Sequence, residues 1–203
     1  MPHVGDAARG ILPDGVIATV SRVPGVRSVE LVGSRADGRA TSLSDWDFQV
    51  ETDAFPAVQR SLPRAVLRLR PVVAQWDRLS RTWCYMLILR GPHKVDLIFA
   101  EPHPVLPPWT VGPSTLAGID EHFWDWMLWL RSKQAAGKAS LVQSELDKLH
   151  AHLLGPMGVA DKPRTIEEAL DAYRRARSER EGLFGMSVSR LPQQAIEPAI
   201  TSA

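Results

Sequence analysis

Leu31-Val32-Gly33-Ser34-Arg35-Ala36, followed a few residues later by Ser44-Asp45-Trp46-Asp47-Phe48-Gln49-Val50, is the stretch on which the reading of this chain turns. Val26 to Val32 is rich in valine and alternates around Arg27, Ser28 and Glu30, the pattern of a strand, and Gly33-Ser34 ends it. Trp46 to Glu51 reads as a second strand. On a strand, side chains at i and i+2 share a face, so Asp45 and Asp47 stand side by side while Trp46 and Phe48 face the other way, toward a core. Two carboxylates that close repel each other unless a cation lies between them or one takes up a proton. Hard oxygen ligands beside a phosphate-sized turn point to Mg²⁺ holding a nucleoside triphosphate.

Upstream, Pro13 to Val23 reads as a helix that begins at Pro13 and carries an apolar stripe of Val16, Ile17, Val20 and Val23; Pro24-Gly25 stops it. Downstream, Asp53 to Leu62 has helical spacing of Phe55, Val58 and Leu62, and Val66 to Val73 alternates like a strand interrupted by Pro71. Trp83 to Leu89 and Lys94 to Phe99, joined by Gly91-Pro92, form an antiparallel hairpin. Its second strand places Asp96 within Lys94-Val95-Asp96-Leu97-Ile98-Phe99. An aspartate in so apolar a strand costs free energy unless it is paired or metal-bound. Asp96 is therefore either a third site carboxylate or a buried acid paired with an arginine.

The chain changes character after Phe99. Pro102, Pro104, Pro107, Pro108 and Pro113 make a stiff connection. Three helices follow: Asp120 to Lys133, Ser140 to Leu154, and Thr165 to Glu181, the last with capping-box spacing between Thr165 and Glu168. From Leu191 onward, small and polar residues with two prolines read as a frayed tail. The expected class is α+β: an α/β-type domain with a mixed sheet over residues 1–104, an all-helical bundle over 105–190 that would bind substrate, and a flexible tail over 191–203.

Composition narrows the function. The chain has 203 residues, 44% of them hydrophobic, enough for a sizeable core. A formal net charge of +1 argues against general nucleic-acid binding. The single cysteine, Cys84, rules out an internal disulfide framework and suits a reducing cytosol. Met1-Pro2-His3-Val4-Gly5-Asp6 lacks a basic region before an apolar run, and no apolar segment has the length of a membrane span, so a cytoplasmic setting is expected. His150 and His152 point to different faces of a helix, His93 lies in a hairpin turn, and the histidines form no metal set.

Phosphoryl and nucleotidyl transfer need positioned phosphates, neutralised charge and an aligned nucleophile, with little covalent work from the protein. Two divalent ions roughly 3.5–4 Å apart stabilise the attacking and leaving oxygens, and such a site uses about three carboxylates on adjacent strands. Strand, Gly-Ser turn, D-x-D on a strand and a later strand aspartate occur here in that order. This order resembles the nucleotidyltransferase superfamily that includes DNA polymerase beta and the aminoglycoside nucleotidyltransferases. Gly33-Ser34 matches the family's turn, Asp45 and Asp47 its aspartate pair, and Asp96 its third acid, over about Val26 to Ala100. The resemblance implies that Gly33 and Ser34 hold the triphosphate and that Asp45, Asp47 and Asp96 hold Mg²⁺, two ions in all. Arg35 is either a further phosphate ligand or a surface arginine.

The helical half also resembles the antibiotic-modifying branch, where an aromatic helix and a Lys-containing turn lie beside the nucleotide. Phe123 to Leu130 is apolar nearly all round, as a buried helix is. Lys133, Gly137 and Lys138 are placed like that turn, and Lys133 becomes a candidate nucleotide contact. Glu121 and Asp125, four apart, share a helix face; either could act as general base on a substrate hydroxyl or attract a cationic substrate, Asp125 being favoured. Asp120 and Glu121 also suit a helix N-terminus. Arg174, Arg175, Arg177 and Arg180, interleaved with Glu167, Glu168, Asp171, Glu179 and Glu181, read as a solvated mixed-charge face.

The expected activity is transfer of a nucleoside monophosphate, AMP from ATP, to a hydroxyl of a small molecule such as an aminoglycoside or lincosamide antibiotic, with release of pyrophosphate. One rival is an antitoxin-type enzyme that adenylylates a partner protein; another is an inactive nucleotide-binding scaffold. The acceptor, the preferred base and the oligomeric state stay open, and a dimer could complete the site.

Overall fold

The computed structural model describes residues 4–201, with side chains from Leu12 onward. Two compact units divide the chain, Met1–Val105 and Leu106–Ala203. The first holds helix α1 (Val4–Val20), strand β1 (Val26–Val32), the single turn α2 (Gly33–Ala36), β2 (Trp46–Thr52), helix α3 (Phe55–Ala65), and strands β3 (Val73–Trp76), β4 (Thr82–Leu89) and β5 (His93–Pro102). The strands form one mixed five-stranded sheet in the order β1-β2-β5-β4-β3. All neighbours are antiparallel except β2 and β5, which run parallel with Trp46 opposite Val95 and Asp47 opposite Asp96. The mixed sheet and the β4–β5 hairpin are as expected from the sequence.

Strand parity sorts the side chains. Phe48, Val50, Tyr85, Leu87, Val95, Leu97 and Phe99 occupy one face and form a core with Val16 and Val20 of α1, Val58 and Leu62 of α3, and Val66. Phe48, Leu87, Leu97 and Phe99 are fully buried, each contributing about 1.5–3 kcal/mol. At one end of this core Phe55, Trp76, Trp83, Tyr85 and Phe99 stack edge to face, with Trp76 and Tyr85 centroids 4.8 Å apart. Asp47 and Asp96 have the opposite parity and stand on the other face.

Three local expectations are corrected. Pro13 lies inside α1 instead of starting it. The preceding Ala7 and Ala8 are strong helix formers, and Pro13 forfeits one backbone hydrogen bond without ending the helix. Val66–Leu69 is a 3₁₀ turn, not a strand. It continues α3 and stops at Arg70, whose φ of 53° is left-handed. The strand that follows begins only at Val73 and runs on through Gln75 and Trp76.

The second unit is helical: α4 (Leu116–Ala135), α5 (Ala139–Leu149) running into a π-helical turn (His150–Leu154), α6 (Ile166–Phe184) and α7 (Leu191–Thr201). Helix α4 packs against α5 and α7. Its aromatic stretch is core, as its all-round apolarity predicts: Phe123 and Trp124 are fully buried, and Phe123 stacks on Tyr173 at 3.7 Å. None of the helices described is long and apolar enough to cross a membrane.

Residues 191–201 are not a frayed tail. Pro192 near the helix start costs no internal bond, and Ile196 and Ile200, four apart, are buried. The N-terminus of α6 is as expected: Thr165 Oγ1 accepts from the Glu168 amide at 3.1 Å. Glu168 Oε2 reaches back to the Arg164 amide at 2.7 Å, one residue earlier than in a standard capping box. Thr165→Ala is expected to lower stability by about 1 kcal/mol. Thermal denaturation would show it, with Thr165→Ser near wild type.

Candidate active site

The acid face of the sheet is built around one level of partnered residues. Val32 pairs with Asp47, Asp47 with Asp96, Asp96 with Met86, and Met86 with Gln75, a row that crosses all five strands. Asp47 and Asp96 are thus direct neighbours on adjacent parallel strands, about 4.8 Å apart along the sheet. Asp45 precedes β2 by one residue, shares the parity of Asp47 and is 8% exposed.

Gly33 follows β1 with a φ of +70°, a conformation that favours glycine. A Cβ at this position would lie 2.7 Å from Oδ2 of Asp47. The missing side chain is therefore the space in which the Asp47 carboxylate sits. The turn α2 that opens here is closed by Asp37 N–H donating to the Gly33 carbonyl (3.0 Å) and Arg39 N–H to that of Ser34 (2.8 Å).

Arg35 does something the sequence did not reveal. Its Nε donates to the carbonyls of Ser44 and Asp45, both at 3.1 Å, and its guanidinium lies 3.9 Å from the centroid of the Trp46 ring. A planar five-donor group suits such bracing. Arg35 fixes the chain that delivers Asp45 to the sheet, more than a solvated surface charge does.

The third acid is paired, and its partner is a lysine where the sequence suggested an arginine. Lys94 Nζ donates to Asp96 Oδ1 at 2.7 Å, and Lys94 is 6% exposed. Burial raises the Asp96 carboxyl above the ordinary carboxylate range; the Lys94 charge opposes this, and Asp45 and Asp77 add to it. Asp77 Oδ1 itself accepts the Leu79 amide at 2.8 Å. His93, at the start of β5, is held below its usual range, first by burial and then by the Arg35 charge. Lys94 escaped the sequence reading although the signal was there, since it stands at i−2 from Asp96 and shares its face.

Among the described residues, no three histidine, cysteine, aspartate or glutamate side chains come together as a metal-holding group. Asp45 and Asp47 share one face at the start of β2 and are oxygen ligands of the type a hard divalent cation takes. Mg²⁺ is commonly held by one or two carboxylates with substrate phosphates and water completing the shell, and the space at Gly33 accommodates the Asp47 oxygen.

The other sequence candidates belong to the second unit. Asp125 lies within α4 at 4% exposure, Glu121 one turn before it, and Lys133 in the last turn, its Nζ 5.0 Å from the Trp129 ring centroid. Gly33, Ser34, Arg35, Asp45, Asp47 and Asp96 are the ones that the first unit brings together. Asp120 is no exposed helix-start acid: it is 2% exposed and its Oδ1 accepts from Tyr173 Oη (2.6 Å), Arg177 (2.9 Å) and Trp124 Nε1 (3.3 Å). Arg177 and Glu181 correspondingly leave the expected solvated face, at 4% and 8% exposure. His150 Nε2 lies 3.0 Å from the Val159 carbonyl, a structural contact in the π-helical turn.

No protein-family model matches the chain, and no curated protein matches it.

Proposed function

We propose that this chain is a nucleotidyltransferase that moves AMP from ATP to a hydroxyl of a small molecule, with an aminoglycoside-type polyol as the first acceptor to try. The observation that carries the reading is the placement of Asp47 beside Asp96 on parallel strands, with its carboxylate in the space left by Gly33. Resemblance of the Gly-Ser, D-x-D and strand-aspartate order to the nucleotidyltransferase superfamily supports it.

In this proposal Ser34, with its hydroxyl and backbone N–H at the Gly33 turn, holds phosphate oxygens. Asp45 and Asp47 would hold a divalent cation, which when bound neutralises the triphosphate and polarises the α-phosphorus. The acceptor hydroxyl oxygen forms a bond to that phosphorus, the bond to the bridging β-phosphate oxygen breaks, and pyrophosphate leaves. Asp96 accepts the hydroxyl proton. Burial raises its proton affinity above that of an ordinary carboxylate, against the opposing Lys94 charge, and Lys94 keeps it oriented.

The test is calorimetric binding of a non-hydrolysable ATP analogue, with and without Mg²⁺, to wild type and to the Asp45→Asn/Asp47→Asn variant. Mg²⁺-dependent binding that weakens at least about tenfold in the variant is expected, since a charge-assisted site loses both its anionic ligands. A folded wild type that binds no nucleoside triphosphate overturns the reading and leaves the inactive-scaffold alternative in its place.

A further inference from the structure

Residues 54–76 hold Arg60, Arg64, Arg68 and Arg70 and no aspartate or glutamate, in a chain whose formal net charge is only +1. Spacing gathers three of these arginines on one surface. Val58, Leu62 and Val66 recur every four residues and are fully buried, so they mark the face that α3 and its 3₁₀ continuation turn to the core. Arg60, Arg64 and Arg68 each follow one of them by two residues, about 200° round the helix, and all three are exposed. They form a stripe with steps of about 6 Å. Helix arginines that serve stability commonly face an acid three or four residues away. This segment supplies none, and among the described residues no carboxylate pairs with any arginine of the stripe. Leu67, three residues after Arg64 and therefore its neighbour on the helix surface, is 61% exposed.

We propose that the exposed face of α3 is a docking surface for an acidic helix of a partner protein, one with carboxylates four residues apart and an apolar side chain that covers Leu67. Charge complementarity selects this occupant. A helix laid alongside α3 repeats its own i, i+4 positions every 6 Å or so, which brings three carboxylates to three guanidinium groups. The stripe is arginine throughout, and a guanidinium takes a carboxylate through two parallel hydrogen bonds where an ammonium acts as a point charge. A nucleic-acid backbone would call for a broad positive field, yet outside residues 54–76 the acids of this chain outnumber its bases. Helix α3 packs on the core face of the sheet, opposite the face that carries Asp47 and Asp96. A partner on its outer surface leaves those acids open, and the inference does not depend on what they do.

The probe is a fluorescently labelled, alanine-based helical peptide with three glutamates four residues apart and one leucine. Its control has the same composition with the glutamates spread round the helix. Binding to the full chain is followed by fluorescence anisotropy at about 0.01 M salt, where charges act over roughly 30 Å, and the arginine Nε–H resonances of the labelled protein locate the contact. Saturable binding of the spaced peptide is expected, with shifts at Arg60, Arg64 and Arg68. Kd should weaken at least about tenfold in Arg60→Gln/Arg64→Gln/Arg68→Gln, since each exposed pair is worth up to about fivefold, and about threefold in Leu67→Ser. All four positions are exposed, so thermal denaturation of these variants should stay near wild type. A wild type that does not bind the spaced peptide, or binds the control peptide equally well, overturns the inference whatever the variants do. A 15-nucleotide oligothymidylate that binds more tightly than the spaced peptide at the same salt also overturns it and assigns the face to nucleic acid.

Discussion

Gly33→Ala is expected to lower the proposed nucleotidyl transfer by at least about a hundredfold, the scale on which a misplacement of about 1 Å acts. The added methyl would arrive 2.7 Å from Oδ2 of Asp47, closer than a carbon and an oxygen can approach. Something must move, and both choices are bad. Asp47 is a short side chain on a central strand, hydrogen-bonded between β1 and β5, so its carboxylate cannot withdraw without leaving its place beside Asp96. If Gly33 moves instead, the turn carrying Ser34 moves with it. Alanine at a φ of +70° adds backbone strain of about 1 kcal/mol. Gly38→Ala separates the two effects: Gly38 has a φ of +67°, yet nothing lies within 4 Å of its would-be Cβ. Steady-state kinetics on both variants, paired with thermal denaturation, is the measurement. A larger stability loss in Gly33→Ala than in Gly38→Ala, which shares only the backbone strain, is expected, with activity lost only in Gly33→Ala. Full activity in Gly33→Ala would show that the Asp47 carboxylate is not used where it stands.

The contrast between Gly33 and Gly38 shows what was legible in the sequence and what was not. Strand parity alone placed Asp45 and Asp47 on one face and Trp46 and Phe48 on the other, because an alternating period is a local property of the chain. That Asp96 comes to lie directly beside Asp47 is a long-range fact. It depends on β5 inserting between β2 and β4 and on a parallel register that no local pattern encodes. The same limit hid the role of Arg35, whose partners are the Ser44 and Asp45 carbonyls. Lys94 was within reach, since its shared parity with Asp96 is as local as that of the D-x-D pair.

Charge patterning misled in the helical unit for a related reason. Ile166, Ala169, Leu170, Tyr173 and Ala176 trace the buried stripe of α6, and Arg177 and Glu181 continue it at helical spacing. Read as a run of charges, residues 174–181 look solvated; read as a continuation of the stripe, two of them are core residues whose partners had to be supplied from elsewhere. Those partners are Asp120 on α4 for Arg177 and Arg190 for Glu181. The helix α7 was missed because two prolines outweighed Ile196 and Ile200, although Pro192 falls where a helix tolerates it. Turn chemistry that acts over a few residues, as at Thr165 and Glu168, was read correctly.

Arg177→Met is expected to destabilise the helical unit by about 3–5 kcal/mol, the usual cost of removing one partner from a buried ion pair. The three donors to Asp120 Oδ1 come from α4 itself and from two positions on α6, and Arg177 also reaches Gln193 at the start of α7. Deleting the guanidinium leaves the Asp120 carboxylate at 2% exposure with the Tyr173 hydroxyl and Trp124 indole as its remaining side-chain donors among the described residues. Asp120 also helps to push the Tyr173 phenol well above its usual range, after burial itself, so the phenol stays a donor and cannot supply the missing positive charge. Asp120→Asn in turn leaves Arg177 buried without its hydrogen-bonded counter-charge, with the Glu181 carboxylate as the remaining negative charge acting on it. The double variant removes both charges and should recover much of the loss, because a buried pair replaced as a whole is often close to neutral. Urea denaturation followed by tryptophan fluorescence reads the unit once Trp46, Trp76 and Trp83 of the first unit are replaced by phenylalanine, leaving Trp124 among the reporters of the second. A coupling of about 0.5–3 kcal/mol across the cycle is expected. Additive losses would mean that the two charges are solvated independently and that Arg177 holds α7 through Gln193 alone.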